Sequence, residues 1–190
     1  DAGFEVAGVD NKPQPHYPYK MIVADALMYA VAFGRQYDAI HASPVCKGYS
    51  TITPNKSKHK KGIAITRRVL QWIGKPYIIE NVPGARREMV NPLMLCGTMF
   101  GLLTLRHRYF ESDPQLWFAP SPCRHVRLVV KRGRKPDRDK HYAAVTGHFS
   151  DVEFAKQAMG IDWLGQTGLA QAIPPAYTRW YGTQFKELIS

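Results

Sequence analysis

The sequence predicts an α/β fold, and three observations predict it. Short apolar, β-branched runs alternate with segments of helical periodicity over residues 4 to 82. Gly and Pro punctuate the joins between them. Two of the runs, 37–42 and 77–79, read as buried parallel strands that end in chemically reactive residues, Cys46 and Glu80. Together these imply a mostly parallel sheet with helices on both faces.

Residues 4–9 read as a strand ending at Asp10. Residues 24–33 carry a helical pattern begun by Asp25, and 37–42 form the next strand. A polar, Lys-rich loop follows over 47–61, with Gly48 and Pro54 as breakers. Residues 63–73 predict a helix closed by Gly74 and stopped by Pro76. Residues 76–82 form a strand through Glu80, and 93–100 and 108–111 form further strands interrupted by Gly97 and Gly101. From 113 to 149 the chain is rich in Pro, Arg and aromatics and shows no helical period. Ser150 and Glu153 form a capping box for a helix to about Met159. A last helix follows Pro174-Pro175 and carries Tyr177, Trp180, Tyr181 and Phe185. The resulting division is a core over 1–112, an insert over 113–149 and C-terminal helices over 150–190.

At 190 residues the chain can bury a sizeable core, and its hydrophobic content of 45% excludes a disordered protein. No apolar run is long enough to span a membrane, and no signal peptide opens the chain. Three widely spaced cysteines are not a disulfide framework and fit a reducing cytoplasm. The net charge of +11 favours a polyanionic partner. The charge is clustered, first at Lys56, Lys58, His59, Lys60 and Lys61, then from Arg124 through Arg127, Lys131, Arg132, Arg134, Lys135 and Arg138 to Lys140. Two basic loops point to nucleic acid.

Cys46 leaves its strand at a turn, Pro44-Val45-Cys46-Lys47-Gly48-Tyr49-Ser50. Free cysteines are often simply buried, but a turn with Pro, Gly and Ser around it favours a reactive thiol. A thiol and a carboxyl at two neighbouring strand ends supply a nucleophile and an acid to one small substrate. Cys123 and His125 form a lone Cys-x-His with no second pair in the sequence, so no metal is expected.

The order of the motifs resembles the DNA (cytosine-5) methyltransferase family. Ser43-Pro44-Val45-Cys46 is similar to its nucleophile loop, Glu80-Asn81-Val82 to its Glu-Asn-Val element, and Arg106-His107-Arg108-Tyr109-Phe110-Glu111 to its arginine strand. Gln171-Ala172-Ile173-Pro174-Pro175, followed by Gly182, resembles its last motif, which packs beside the cofactor, while Cys96 matches a strand position. The resemblance implies a Rossmann-like S-adenosylmethionine methyltransferase sheet with a short recognition insert. It implies Cys46, Glu80, Arg108 and Arg106 as catalytic residues. Asp10, Asn11, Asp25, Ala26 and Pro44 would contact S-adenosylmethionine. Ser50, Lys58, Lys60, Lys61, Arg127, Arg132 and Arg134 would contact double-stranded DNA. A monomer in the cytoplasm of a bacterial or phage-infected cell is the implied setting, as in restriction-modification.

In that chemistry a cysteine thiolate adds to carbon 6 of a flipped-out cytosine, and Glu80 stabilises charge at ring N3. Arg108 or Arg106 holds the base carbonyl and orients Glu80, and the Lys-rich loop closes over the base and holds phosphates. The chain departs from the family at three points. The opening strand and Gly-rich loop would stand before Asp1. Val45 replaces a proline, and Lys47 stands where Gln is frequent. Two other readings stay open: a homologue that binds nucleic acid without methylating it, and an enzyme acting at carbon 5 of a pyrimidine in RNA or with another one-carbon group.

Overall fold

The computed structural model describes residues 2–50, 53, 55–130 and 134–189. It is a mixed α/β chain. Strands β1 (Ala7–Asp10) and β2 (Lys20–Val23) pair in parallel, and α1 (Ala26–Phe33) follows. A second sheet is built from β3 (Ile40–Ala42), β4 (Tyr77–Asn81), β5 (Leu93–Leu95) and β6 (Arg108–Asp113), in the order β3-β4-β6-β5. Between β3 and β4 runs α2 (Ile63–Ile73). The insert contributes only the two-residue strands β7 (Leu128–Val129) and β8 (His141–Tyr142), which pair in parallel. Helices α3 (Val152–Met159), α4 (Gln166–Gln171) and α5 (Pro175–Ile189) complete the chain.

Alternation along β4 explains the layers. Tyr77 and Ile79 point to one face and pack with Ile63, Leu70 and Ile73 of α2. Ile78 points to the other, where Phe110, Tyr177, Tyr181 and Phe185 bury α5 against the sheet. Gly74 closes α2 in the left-handed conformation (φ 74°), and its N–H donates to the Leu70 carbonyl. Arg67 on α2 then fixes the register to β6. Its guanidinium holds both Glu111 carboxylate oxygens at 2.6 Å, and Glu111 also accepts from Val90 N–H. A third cluster packs α3 and α4 against Ala143, Val145 and Phe149. Among the described residues, no helix is long and apolar enough to cross a membrane.

Several expectations need correction. The larger sheet is mixed: β3 and β4 are parallel, but β6 runs antiparallel to both β4 and β5. The reason is local, since no α-helix separates β5 from β6, and without a crossover helix the chain returns antiparallel. The expected strand over 93–100 stops at Leu95, and residues Gly97–Phe100 turn as a 3-10 helix closed by Gly101 (φ 70°). β2 and α4 are elements that the sequence pattern did not predict. The cap of α3 is Asp151, not Ser150. Its Oδ1 accepts from Phe154 N–H, whereas Ser150 Oγ donates to the Arg134 carbonyl.

Candidate functional site

β3 and β4 run in parallel with Ala42 opposite Ile79, so Cys46 and Glu80 leave the same edge of the sheet from neighbouring strands. Four hydrogen bonds hold the Cys46 turn in place. The Cys46 carbonyl accepts from Tyr49 and Ser50 N–H, both at 2.9 Å. Asn81 Nδ2 donates to the Pro44 carbonyl at 2.8 Å, tying the turn to the end of β4. Behind it, Tyr49 is buried and donates through its hydroxyl to Glu88 at 2.8 Å. The turn also needs Gly84, because a Cβ there would lie 2.1 Å from the Tyr49 carbonyl oxygen. Cys46 itself is exposed, as is Val45 before it.

Glu80 is 8% exposed and sits 2.9 Å from Arg108 Nε. The two are close, yet the N–H is not aligned for a hydrogen bond, and Glu80 Oε1 has no hydrogen-bond partner. Burial raises the Glu80 pKa, opposed by the charges of Arg108 and Arg106. The shift is in the direction that a proton donor requires.

The two arginines have different surroundings. Arg108 lies beside Glu80 and donates once, to the His107 carbonyl at 2.9 Å. Arg106 is buried, with φ 33°, and spends its guanidinium on carbonyls of three residues. It donates to Ala170 at 2.7 Å, to Ala172 through Nε at 3.0 Å and again through Nη2, and to Val145. Burial and the neighbouring Arg108 lower its pKa, but an arginine with these partners stays charged. Arg106 therefore locks the segments around 145 and 170–172 onto the sheet, and the Gln171–Pro175 motif is held by that lock. Its charge also lies near enough to Cys46 to interact with it.

Apart from Pro44, the residues expected to hold a cofactor lie at the end of β1 and the start of α1. Asp10 ends β1, where its Oδ1 accepts from Lys12 N–H at 2.9 Å. Asp25 is the N-cap of α1, accepting from Leu27 at 3.0 Å and Met28 at 2.9 Å on one oxygen. Asn11 and Ala26 are exposed, and Pro44 is half-buried in the Cys46 turn. Gly182 packs its α5 turn against the N-terminal segment, where a Cβ would lie 2.8 Å from Ala2.

Of the residues expected at phosphates, Lys58, Lys60 and Arg134 are exposed and Ser50 is half-buried. Lys61 is exposed but pairs with Glu88 at 2.7 Å. Arg127 is half-buried and donates to the Arg138 and Asp139 carbonyls, an internal brace of the insert. Arg132 lies outside the described residues.

One group escaped the sequence reading. The premise that Cys123 and His125 lack a second pair fails in the fold, because Leu95 lies opposite Arg108 across β5 and β6. The next opposed positions are Cys96 and His107, and both meet the insert there. Cys96, His107, Cys123 and His125 each place one ligand-capable atom within 4.8 Å of the others.

The chain matches no family model and no curated protein.

Proposed function

We propose that this chain is the catalytic unit of a DNA cytosine-5 methyltransferase. One observation carries the reading: a thiol on a turn and a buried, Arg-paired carboxyl leave adjacent parallel strands at one sheet edge, joined by Asn81. The strand order is compatible with a Rossmann-like sheet. In the doubly wound order 3-2-1-4-5-6, β2-β1 suit positions 3-2 and β3-β4 suit positions 4-5.

Cys46 acts as nucleophile once its proton has gone to solvent, adding its thiolate to carbon 6 of the base. Glu80 holds a proton against ring N3 and so offsets the charge that addition pushes there. Arg108 faces the base carbonyl and keeps Glu80 oriented, while Arg106 is a positioning residue. S-adenosylmethionine supplies an electrophilic methyl group when bound. The residues present fit its adenosine half in part. Asp10 stands at a strand end with a carboxylate able to accept from ribose hydroxyls, while Asp25 is committed to capping α1. Exposed Lys58, Lys60 and Arg134 suit phosphate contacts.

The test is a duplex carrying 5-fluorocytosine, incubated with the full-length protein and S-adenosylmethionine. A covalent complex that survives denaturation is expected, and Cys46→Ala should abolish it. Trapping by Cys46→Ala would overturn the assignment of the nucleophile. Tight duplex binding with no trapping would favour the reading as a non-methylating nucleic-acid binder.

A further inference from the structure

We infer that Cys96, His107, Cys123 and His125 bind one divalent, zinc-like ion that pins the insert to the catalytic sheet. The inference does not rest on the methyltransferase reading. Cys123 Sγ lies 3.0 Å from His125 Nε2 and 3.4 Å from His107 Nε2, and Cys96 Sγ lies 3.5 Å from His125 Nε2. Zinc bonds of about 2.3 Å to sulfur and about 2.0–2.1 Å to nitrogen, in a tetrahedron, set sulfur-to-nitrogen edges of roughly 3.6 Å. Two of the three distances lie within about 0.2 Å of that edge, and all four ligand atoms lie within 4.8 Å of one another. Two thiolates and two imidazoles in that geometry select zinc over magnesium or calcium, which need oxygen ligands.

The second observation is the thin apolar anchoring of the first part of the insert, where Leu116 is half-buried against the α5 cluster and the other ties are polar, Ser121 to the Met99 carbonyl and Arg138 to Asp151. Between Asp113 and His141, no described residue is a buried hydrophobic. Trp117, Phe118 and Val126 are 65%, 85% and 87% exposed. A segment with so little buried apolar surface is one that a metal crosslink would hold more firmly in one conformation. Cys96 supplies the fixed end: it is fully buried, and Thr98 Oγ1 lies 3.2 Å from its sulfur. His107 supplies the other, held between Arg106 and Arg108. All four positions come from the chain, so the site is closed and structural, with no position for a reacting water. Binding displaces the two thiol protons to solvent and forms two metal–sulfur and two metal–nitrogen bonds. Because His107 adjoins both arginines, the ion would also fix the angle at which the insert meets the Glu80 edge.

The full chain, purified without chelator, should carry about one zinc per molecule by elemental analysis. Cobalt(II) added to the metal-free protein should give the visible bands of tetrahedral thiolate coordination. Cys123→Ser and His125→Ala should each lower occupancy at least tenfold, a loss in the range expected for damage to a metal site. Cys46→Ser should leave it unchanged. His125→Cys keeps four ligands, so it should retain the metal and intensify the sulfur-to-cobalt charge transfer. Proteolysis within 113–140 should accelerate on metal removal while the remainder resists. Full occupancy in Cys123→Ser, absence of zinc after equilibration with excess zinc and dialysis, or a Cys96–Cys123 disulfide in the freshly purified protein would each overturn the inference.

Discussion

The sheet β3-β4-β6-β5 and the ribbon β1-β2 with α1 are built to different standards. In the sheet, Ile79, Leu95 and Phe110 are fully buried, and the charged groups Glu80, Arg106 and Glu111 are buried with them. In the ribbon, α1 has no buried residue, and Met28 is 70% exposed. Polar groups in the ribbon satisfy local backbone: Asp10 closes a turn and Asp25 caps a helix. Polar groups in the sheet reach across the molecule, as Arg106 does to residues 64 and 66 positions away. Burying charge is costly, and it persists where other contacts hold it in place. The difference separates a region whose charged groups tie distant segments together from one whose carboxylates make only local bonds.

Substitutions test that contrast directly. Glu80→Gln should slow formation of the covalent complex by about 10²–10⁴-fold, the range of a lost general acid. The pH dependence follows in sign. Because burial raises the folded pKa of Glu80, its contribution to stability is present below the unfolded value of about 4.3 and is lost as pH rises through the folded pKa. Denaturation midpoints of Glu80→Gln against pH should lack that decline, and the trapping rate should no longer fall over the same window. An unchanged profile would mean that Glu80 is not the titrating group.

Arg106→Ala should cost about 3–5 kcal/mol in chemical denaturation, since it strips partners from the Val145, Ala170 and Ala172 carbonyls. Arg108→Ala should destabilise less and affect trapping more, which separates the positioning arginine from the one at Glu80. Equal stability losses would erase that distinction.

Gly84→Ala pushes a methyl into the Tyr49 carbonyl and should cost about 1–3 kcal/mol, with slower trapping because the Cys46 turn must shift. In the ribbon, Asp25→Ala should cost only about 1 kcal/mol, the worth of a helix cap. Asp10→Ala should stay within about 0.5 kcal/mol while weakening S-adenosylmethionine binding to the full-length protein, as read by calorimetry. A large stability loss at Asp10 would place the ribbon in the same class as the sheet. Smallest of all, neutralising Lys58 or Lys60 should each flatten the salt dependence of duplex binding by about one unit of slope. Lys61 should contribute less, being paired to Glu88.

Much of this arrangement was legible along the chain because it is local. Apolar runs bounded by Gly and Pro located β4 and α2, and Asp25 and Gly74 marked helix ends through their own backbone bonds. The Cys46 turn and the Glu80 strand end were legible for the same reason. β2 was missed because Lys20–Val23 is four residues long and none of it is fully buried, so it has no alternating burial pattern to betray it. The sense of β6 was missed because pairing direction is set by connections, not by composition. The Cys96–His107 pair had one readable signal: a hairpin of β5 and β6 would bring the two residues opposite each other.

By itself, the sequence determined which residues bear reactive groups and which runs become strands and helices, because both depend on side-chain type and near neighbours. Only the tertiary structure decided what those groups meet. It turned Arg106 into a lock and left Arg108 at Glu80. It also gathered Cys96, His107, Cys123 and His125 from positions up to 29 residues apart. Such meetings depend on strand register and on which backbone carbonyls lack partners, and no local pattern in the chain encodes either.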